Sequence, residues 1–82
     1  MNYDNLHLIT VKYHGETGNT SSRISLHSYR FRSRVFIPYA HDAGRTLDQA
    51  CAHLVRQGFN IIGVCEQANS YAVITDTFQL FK

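Results

Sequence analysis

Arg30, Arg32 and Arg34 alternate with aromatic and small residues in the segment Tyr29-Arg-Phe-Arg-Ser-Arg34. On a β-strand, alternate residues project to one face about 6.6–6.8 Å apart, a repeat close to the spacing of successive phosphates on a single nucleic-acid strand. Arginine suits bidentate contacts with phosphate or carboxylate. Arg23 precedes this row, and Tyr29 and Tyr39 flank it as rings able to stack on bases or anchor a protein interface. Three readings stand side by side. The row guards a sheet edge against aggregation while Tyr29 and Phe31 enter the core; or it docks on an acidic protein surface; or it grips nucleic acid.

Other candidate chemistry lacks parts. His7, His14, His27, His41 and His53 include no i, i+4 pair on a helix, and none flanks a cysteine at zinc spacing, so no metal site is expected and the histidines read as surface residues. His41-Asp42 has no third member for acid–base catalysis. Cys51 and Cys65 sit on apolar patterns, where a thiol is a small buried hydrophobe rather than a nucleophile. The five glycines match neither a P-loop nor a dinucleotide turn. No paired carboxylates stand ready for hydrolysis. No catalytic residue and no cofactor are expected.

The whole chain has 82 residues, 44% of them hydrophobic and 17% charged, with one Pro. That length supports one domain and excludes a large cofactor-binding enzyme fold, and the apolar fraction excludes a mainly disordered chain. Apolar runs are too short to span a membrane, and Met1-Asn2-Tyr3-Asp4 shows neither the basic nor the apolar region of a signal peptide. Two cysteines at this spacing form no disulfide framework, so a cytoplasmic setting is expected. The formal charge is only +2, yet residues 23–56 carry six arginines against two aspartates, a net +4, between faintly acidic ends.

Elements able to position these residues follow from the hydrophobic pattern. Leu6 to Tyr13 alternates as a strand with Ile9, Val11 and Tyr13 inward, and Gly15 to Ser22 is a polar hairpin loop. From Arg23 to Tyr39 the apolar phase switches from even (Ile24, Leu26) to odd (Tyr29 to Tyr39). That switch demands a bulge or a break, and two strands, about 23–31 and 34–39, are expected. Pro38 places the second at a sheet edge. Thr46 reads as an N-cap, with Gln49 completing a capping box. Leu47, Ala50, Cys51, Leu54 and Val55 form one apolar helix stripe, and Gly58 stops the helix. Phe59–Glu66 and Tyr71–Thr75 read as a hairpin, followed by an apolar end in which Phe78 and Phe81 dock on the core or on a partner chain. The expected fold is α+β: an antiparallel sheet of about five strands in the order β-β-β-α-β-β, with one helix on one face.

With that order, the lone helix between Thr46 and Gly58, the hairpin Phe59–Thr75 and the lack of catalytic motifs, the chain resembles the small single-domain proteins of phages and mobile elements, of which the anti-CRISPR proteins are the best-known class. The resemblance covers the whole chain as an architecture, without a diagnostic motif. It implies a stoichiometric inhibitor that binds a bacterial CRISPR-Cas effector complex in the host cytoplasm and blocks DNA recognition or nuclease recruitment; the apolar C-terminal segment or an exposed strand edge leaves the chain a monomer or a homodimer. Many such inhibitors are acidic DNA mimics. This chain is mildly basic, so occlusion of a protein surface through Arg30, Arg32 and Arg34 with neighbouring aromatics fits it better. The alternative is a small nucleic-acid-binding module using the same arginines.

Overall fold

A computed structural model describes residues 6–18, 21–40, 42 and 44–81. His41, and with it the His41-Asp42 pair, lies outside the described residues, as do Met1–Asp4 and part of the Gly15–Ser22 loop. Six elements follow one another: β1 (His7–His14), β2 (Arg23–Ser28), β3 (Ser33–Pro38), α1 (Thr46–Arg56), β4 (Ile61–Glu66) and β5 (Tyr71–Thr75). The strands form one antiparallel sheet in the order β3-β2-β1-β5-β4, with β1 at its centre. The expected α+β architecture is the one observed. Among the described residues, no helix is long and apolar enough to cross a membrane.

The switch of apolar phase is resolved by a turn. β2 ends at Ser28, three residues earlier than expected, and residues 29–32 reverse the chain so that Ser28 pairs with Ser33. Even positions of β2 (Ile24, Leu26) and odd positions of β3 (Val35, Ile37) then share one face. Arg32 takes a left-handed φ of 50° in this turn, a conformation that costs a residue with a Cβ. The Ser28 hydroxyl accepts the Phe31 N–H at 3.3 Å, which fixes the turn's start.

Helix α1 packs on β1 and β2, the strands that supply the fully buried Ile9, Val11, Ile24 and Leu26. Leu47, Ala50 and Leu54 face them; Cys51 is half-buried, and Val55, expected on the same stripe, is 58% exposed. The stripe is therefore narrower than its periodicity suggests, because a helix seated over β1 and β2 leaves β4 uncovered. The N-terminus also departs from expectation. Arg45, not Thr46, occupies the N-cap, and its N–H donates to the Asp48 carboxylate at 3.3 Å. Gln49 is no capping-box partner. Its amide nitrogen donates to the carbonyls of Ala40 and Gly44, each at 2.8 Å, and its amide oxygen accepts the Ala40 N–H at 2.9 Å. One side chain thus straps the β3–α1 connection.

At the other end, Gly58 (φ 101°) lets the chain turn so that its N–H reaches the Val55 carbonyl and that of Phe59 reaches Leu54, both at 3.0 Å. This is a Schellman closure, and Phe59 enters the core beside Leu54. β4 is shorter than expected and slips register between Ile61 and Gly63.

His7 overturns the reading of all five histidines as surface residues. It is 1% exposed, ringed by Phe31, Phe59 and Phe78. Its Nδ1 lies 3.0 Å from the Thr77 carbonyl, an acceptor only, so Nδ1–H donates there, and Nε2 shares a hydrogen bond with the Ser28 hydroxyl. One imidazole thereby ties β1, the β2–β3 turn and the C-terminal segment together. Of the two expected dockings, on the core or on a partner chain, this segment makes the first, Phe81 lying against Phe59 and Phe78 over His7.

Candidate functional site

With α1 covering one face, the other face of the sheet is open, and the pairing registers define its layout. Thr10, His27 and Arg34 form one row across β1, β2 and β3; Lys12, Ser25 and Phe36 form the next; His14, Arg23 and Pro38 form the third. With strands about 4.8 Å apart and same-face residues about 6.7 Å apart, this lattice measures roughly 13 by 10 Å. Three of its nine positions are cations, two are histidines, and none is a carboxylate.

Contacts confirm that these side chains share a surface. The Arg23 guanidinium carbon sits 5.2 Å from the centre of the Phe36 ring, and the His14 ring meets Phe36 edge-on at 5.8 Å. His14 Nε2 lies 2.9 Å from the hydroxyl of Ser25, which is buried at the lattice centre. Burial, then the positive charges of Arg23, Lys12 and Arg34, hold the His14 pKa below its ordinary value. His27 packs edge-on against Tyr29 at 4.2 Å. Phe36 is 51% exposed, a large apolar ring in a basic setting.

Among the described residues no carboxylate pairs with the lattice cations. Among the described residues both ion pairs belong to Arg45, with Asp48 at 3.6 Å and Glu66 at 3.9 Å, on the helix side of the molecule. Nη1 of Arg23 is buried without a hydrogen-bond partner. A guanidinium donor left in that state costs free energy.

The predicted site residues are dispersed. Arg23 and Arg34 stand on the lattice. Arg30 and Arg32 lie in the β2–β3 turn, so the expected row of three arginines on one strand does not form. Arg30 stacks over Phe78 at 4.5 Å, and Arg32 is exposed. Tyr29 is 64% exposed at the start of the turn. Tyr39 follows β3 and packs against the core and the Tyr13 ring at 4.9 Å, on the helix side. Sequence reasoning missed Lys12, His14, His27 and Phe36. The signal was present for the two on β1: once Ile9 and Val11 are taken as inward, Lys12 and His14 must point outward.

The cysteines separate as well. Burial, and secondarily Asp48, push the Cys51 thiol pKa up, away from the reactive thiolate. Cys65, expected to be buried, is exposed: it pairs with Ala72, which pairs with Thr10, and so stands on the sheet face away from the helix. No three His, Cys, Asp or Glu side chains among the described residues cluster as metal ligands. A groove of about 380 Å³ lies between the end of β3 and α1, lined by Ile37, Pro38, Gln49, Ala52, His53 and Arg56. Comparison with family models, curated proteins and solved structures finds no match to this chain.

Proposed function

We propose that this chain is a non-enzymatic binding protein of the anti-CRISPR type, acting in the bacterial cytoplasm. It docks the open face of its sheet on an acidic surface of a CRISPR-Cas effector complex, and so blocks DNA recognition or nuclease recruitment. The observation that carries the docking is the lattice of Lys12, Arg23 and Arg34 with no carboxylate among its nine positions. The inhibitory role follows from the resemblance in size and architecture.

Nucleic acid is the weaker occupant of this face. Sequence-tolerant binding of single strands relies on several rings with free faces. Here one ring, Phe36, stands on the lattice, and Arg23 already stacks on it while His14 meets its edge. Tyr39 belongs to the opposite side. Cations around a single anchored ring suit carboxylates better, since interfaces draw much of their energy from a few arginine and aromatic anchors.

The test is size-exclusion chromatography with purified effector complexes, using the double variant Arg23→Glu/Arg34→Glu. The native chain is expected to co-elute stoichiometrically with its target, and the variant to lose at least a hundredfold in affinity, about 2.7 kcal/mol, while melting at the native temperature. Undiminished binding by the variant removes the lattice from the interface. A shift of labelled oligonucleotides that weakens steeply with salt replaces the protein partner with nucleic acid.

A further inference from the structure

The histidine in the lattice is placed to couple docking to protons. His14 sits in a corner of the face, with Lys12 on its own strand, Arg23 directly opposite on β2, and Arg34 on β3. Every charged group bearing on the ring is a cation, so the free protein disfavours an imidazolium there. Its hydrogen-bond partner imposes no such preference. The Ser25 hydroxyl can donate to a neutral Nε2 or accept from a protonated one, so the 2.9 Å contact survives protonation. Phe36, edge-on to His14, meets the ring without requiring either charge state. Burial and surplus positive charge together hold the ring neutral, and an arriving anion offsets the second of these.

We propose that docking is proton-coupled: His14 takes up one proton when carboxylates of the partner seat among Lys12, Arg23 and Arg34, so the face becomes a four-cation site for an acidic protein surface. The coupling rests on the docking reading above and deepens it by naming the ligand group and its regulation. A carboxylate within about 4–6 Å favours the charged imidazole. By linkage the proton strengthens carboxylate binding by the same factor that the carboxylate strengthens proton binding. Binding therefore tightens as pH falls from 7.5 towards 5.5, a range in which glutamate carboxylates stay mostly ionised. Each unit by which the bound state raises the His14 midpoint is worth up to tenfold in affinity. His27 stands in the row beyond Ser25, opposite Arg34, with Tyr29 as its ring neighbour.

Hexaglutamate serves as the probe, with the intact chain observed by NMR. The His14 ring signals are titrated with and without peptide, and affinity is read from the amide shifts of Lys12, Arg23 and Arg34. The midpoint of His14 is expected to rise by about one pH unit on saturation, with affinity about threefold to sixfold higher at pH 5.5 than at 7.5. His14→Gln, which retains a polar partner for Ser25, should bind at pH 7.5 like the native chain and lose the pH dependence. If the peptide shifts the lattice amides but leaves the His14 midpoint unmoved, the coupling is wrong and the docking reading stands. If hexaglutamate perturbs none of these amides, the acidic-surface reading fails along with it. If oligothymidylate raises the midpoint and hexaglutamate does not, the ligand is phosphate and the carboxylate assignment is overturned.

Discussion

The two faces of the sheet are built from the same three strands by the same alternation, yet they do opposite work. On the helix side, Ile9, Val11, Ile24 and Leu26 are wholly buried and meet Leu47, Ala50 and Leu54. On the other side, Thr10, Lys12, His14, Arg23, His27, Arg34 and Phe36 surround a single buried serine. Apolar area removed from water holds the domain together. Unneutralised charge at a fixed spacing contributes little to that, and on the proposed reading it is the surface a partner meets. A one-residue slip in register would exchange the two sets, which is why the registers of β1, β2 and β3 matter to function as well as to stability.

The contrast breaks most visibly in a paired truncation. Leu26→Ala removes a wholly buried side chain from beneath the helix and is expected to cost about 2–5 kcal/mol, read from urea denaturation. Phe36→Ala truncates a side chain of similar apolar character one strand over, on the open face. It should cost under about 1 kcal/mol and weaken hexaglutamate binding. Comparable losses of stability from the two would mean that the open face is a second core awaiting cover, and the functional division between the faces would fall.

The inner face was legible because it obeys a short-range rule. Alternation in β1 and the helix periodicity at Leu47, Ala50 and Leu54 each identify buried positions without knowledge of the fold. The break between Leu26 and Tyr29 was legible too, but not its form. Nothing in Arg30-Phe31-Arg32 carries the glycine or asparagine that marks a left-handed turn position, and Arg32 occupies one at φ 50°. That one unmarked turn separates Arg30 and Arg32 from Arg34. The lattice depends on which strands become neighbours, and the cross-strand meetings of Arg23 with Phe36 and of His14 with Ser25 are tertiary facts. His7 was misread for a similar reason: its partners, Ser28 and Thr77, are 21 and 70 residues away.

A smaller effect is expected at that turn. Arg32→Gly relieves a left-handed conformation that costs a side-chain-bearing residue about 1–2 kcal/mol and pays back part of the gain, about 0.5–1 kcal/mol, as unfolded-chain entropy. A net stabilisation of about 0.5 kcal/mol is the expected result in the same denaturation assay. Affinity for hexaglutamate should stay unchanged, because Arg32 stands off the lattice. A gain in stability accompanied by lost affinity would extend the binding face around the turn and blur its boundary.

The smallest expected effect is also the one that separates the faces most finely, since each side of the molecule carries a histidine with a depressed pKa. Burial leads in both; Arg23, Lys12 and Arg34 add to it at His14, and Arg56 adds to it at His53. His53 has a second reason to stay neutral, because its Nε2 accepts the Gln57 amide at 2.7 Å and a proton there would displace that donor. Above the ordinary histidine value of 6.5, folded and unfolded chains both hold these rings neutral, and their contribution to stability is fully present. As pH falls below 6.5 the unfolded chain binds protons first, so stability declines until the pH has passed the lower folded values. The melting temperature should therefore fall gently between pH 7 and 5, and His14→Gln and His53→Gln should each remove part of the slope. Saturating hexaglutamate divides the two. It should abolish the His14 part, because bound carboxylates favour the imidazolium, and leave the His53 part intact, because that ring lies on the helix flank away from the lattice. An identical slope with and without peptide would place both histidines outside the binding face and leave their depressed values as a matter of packing alone.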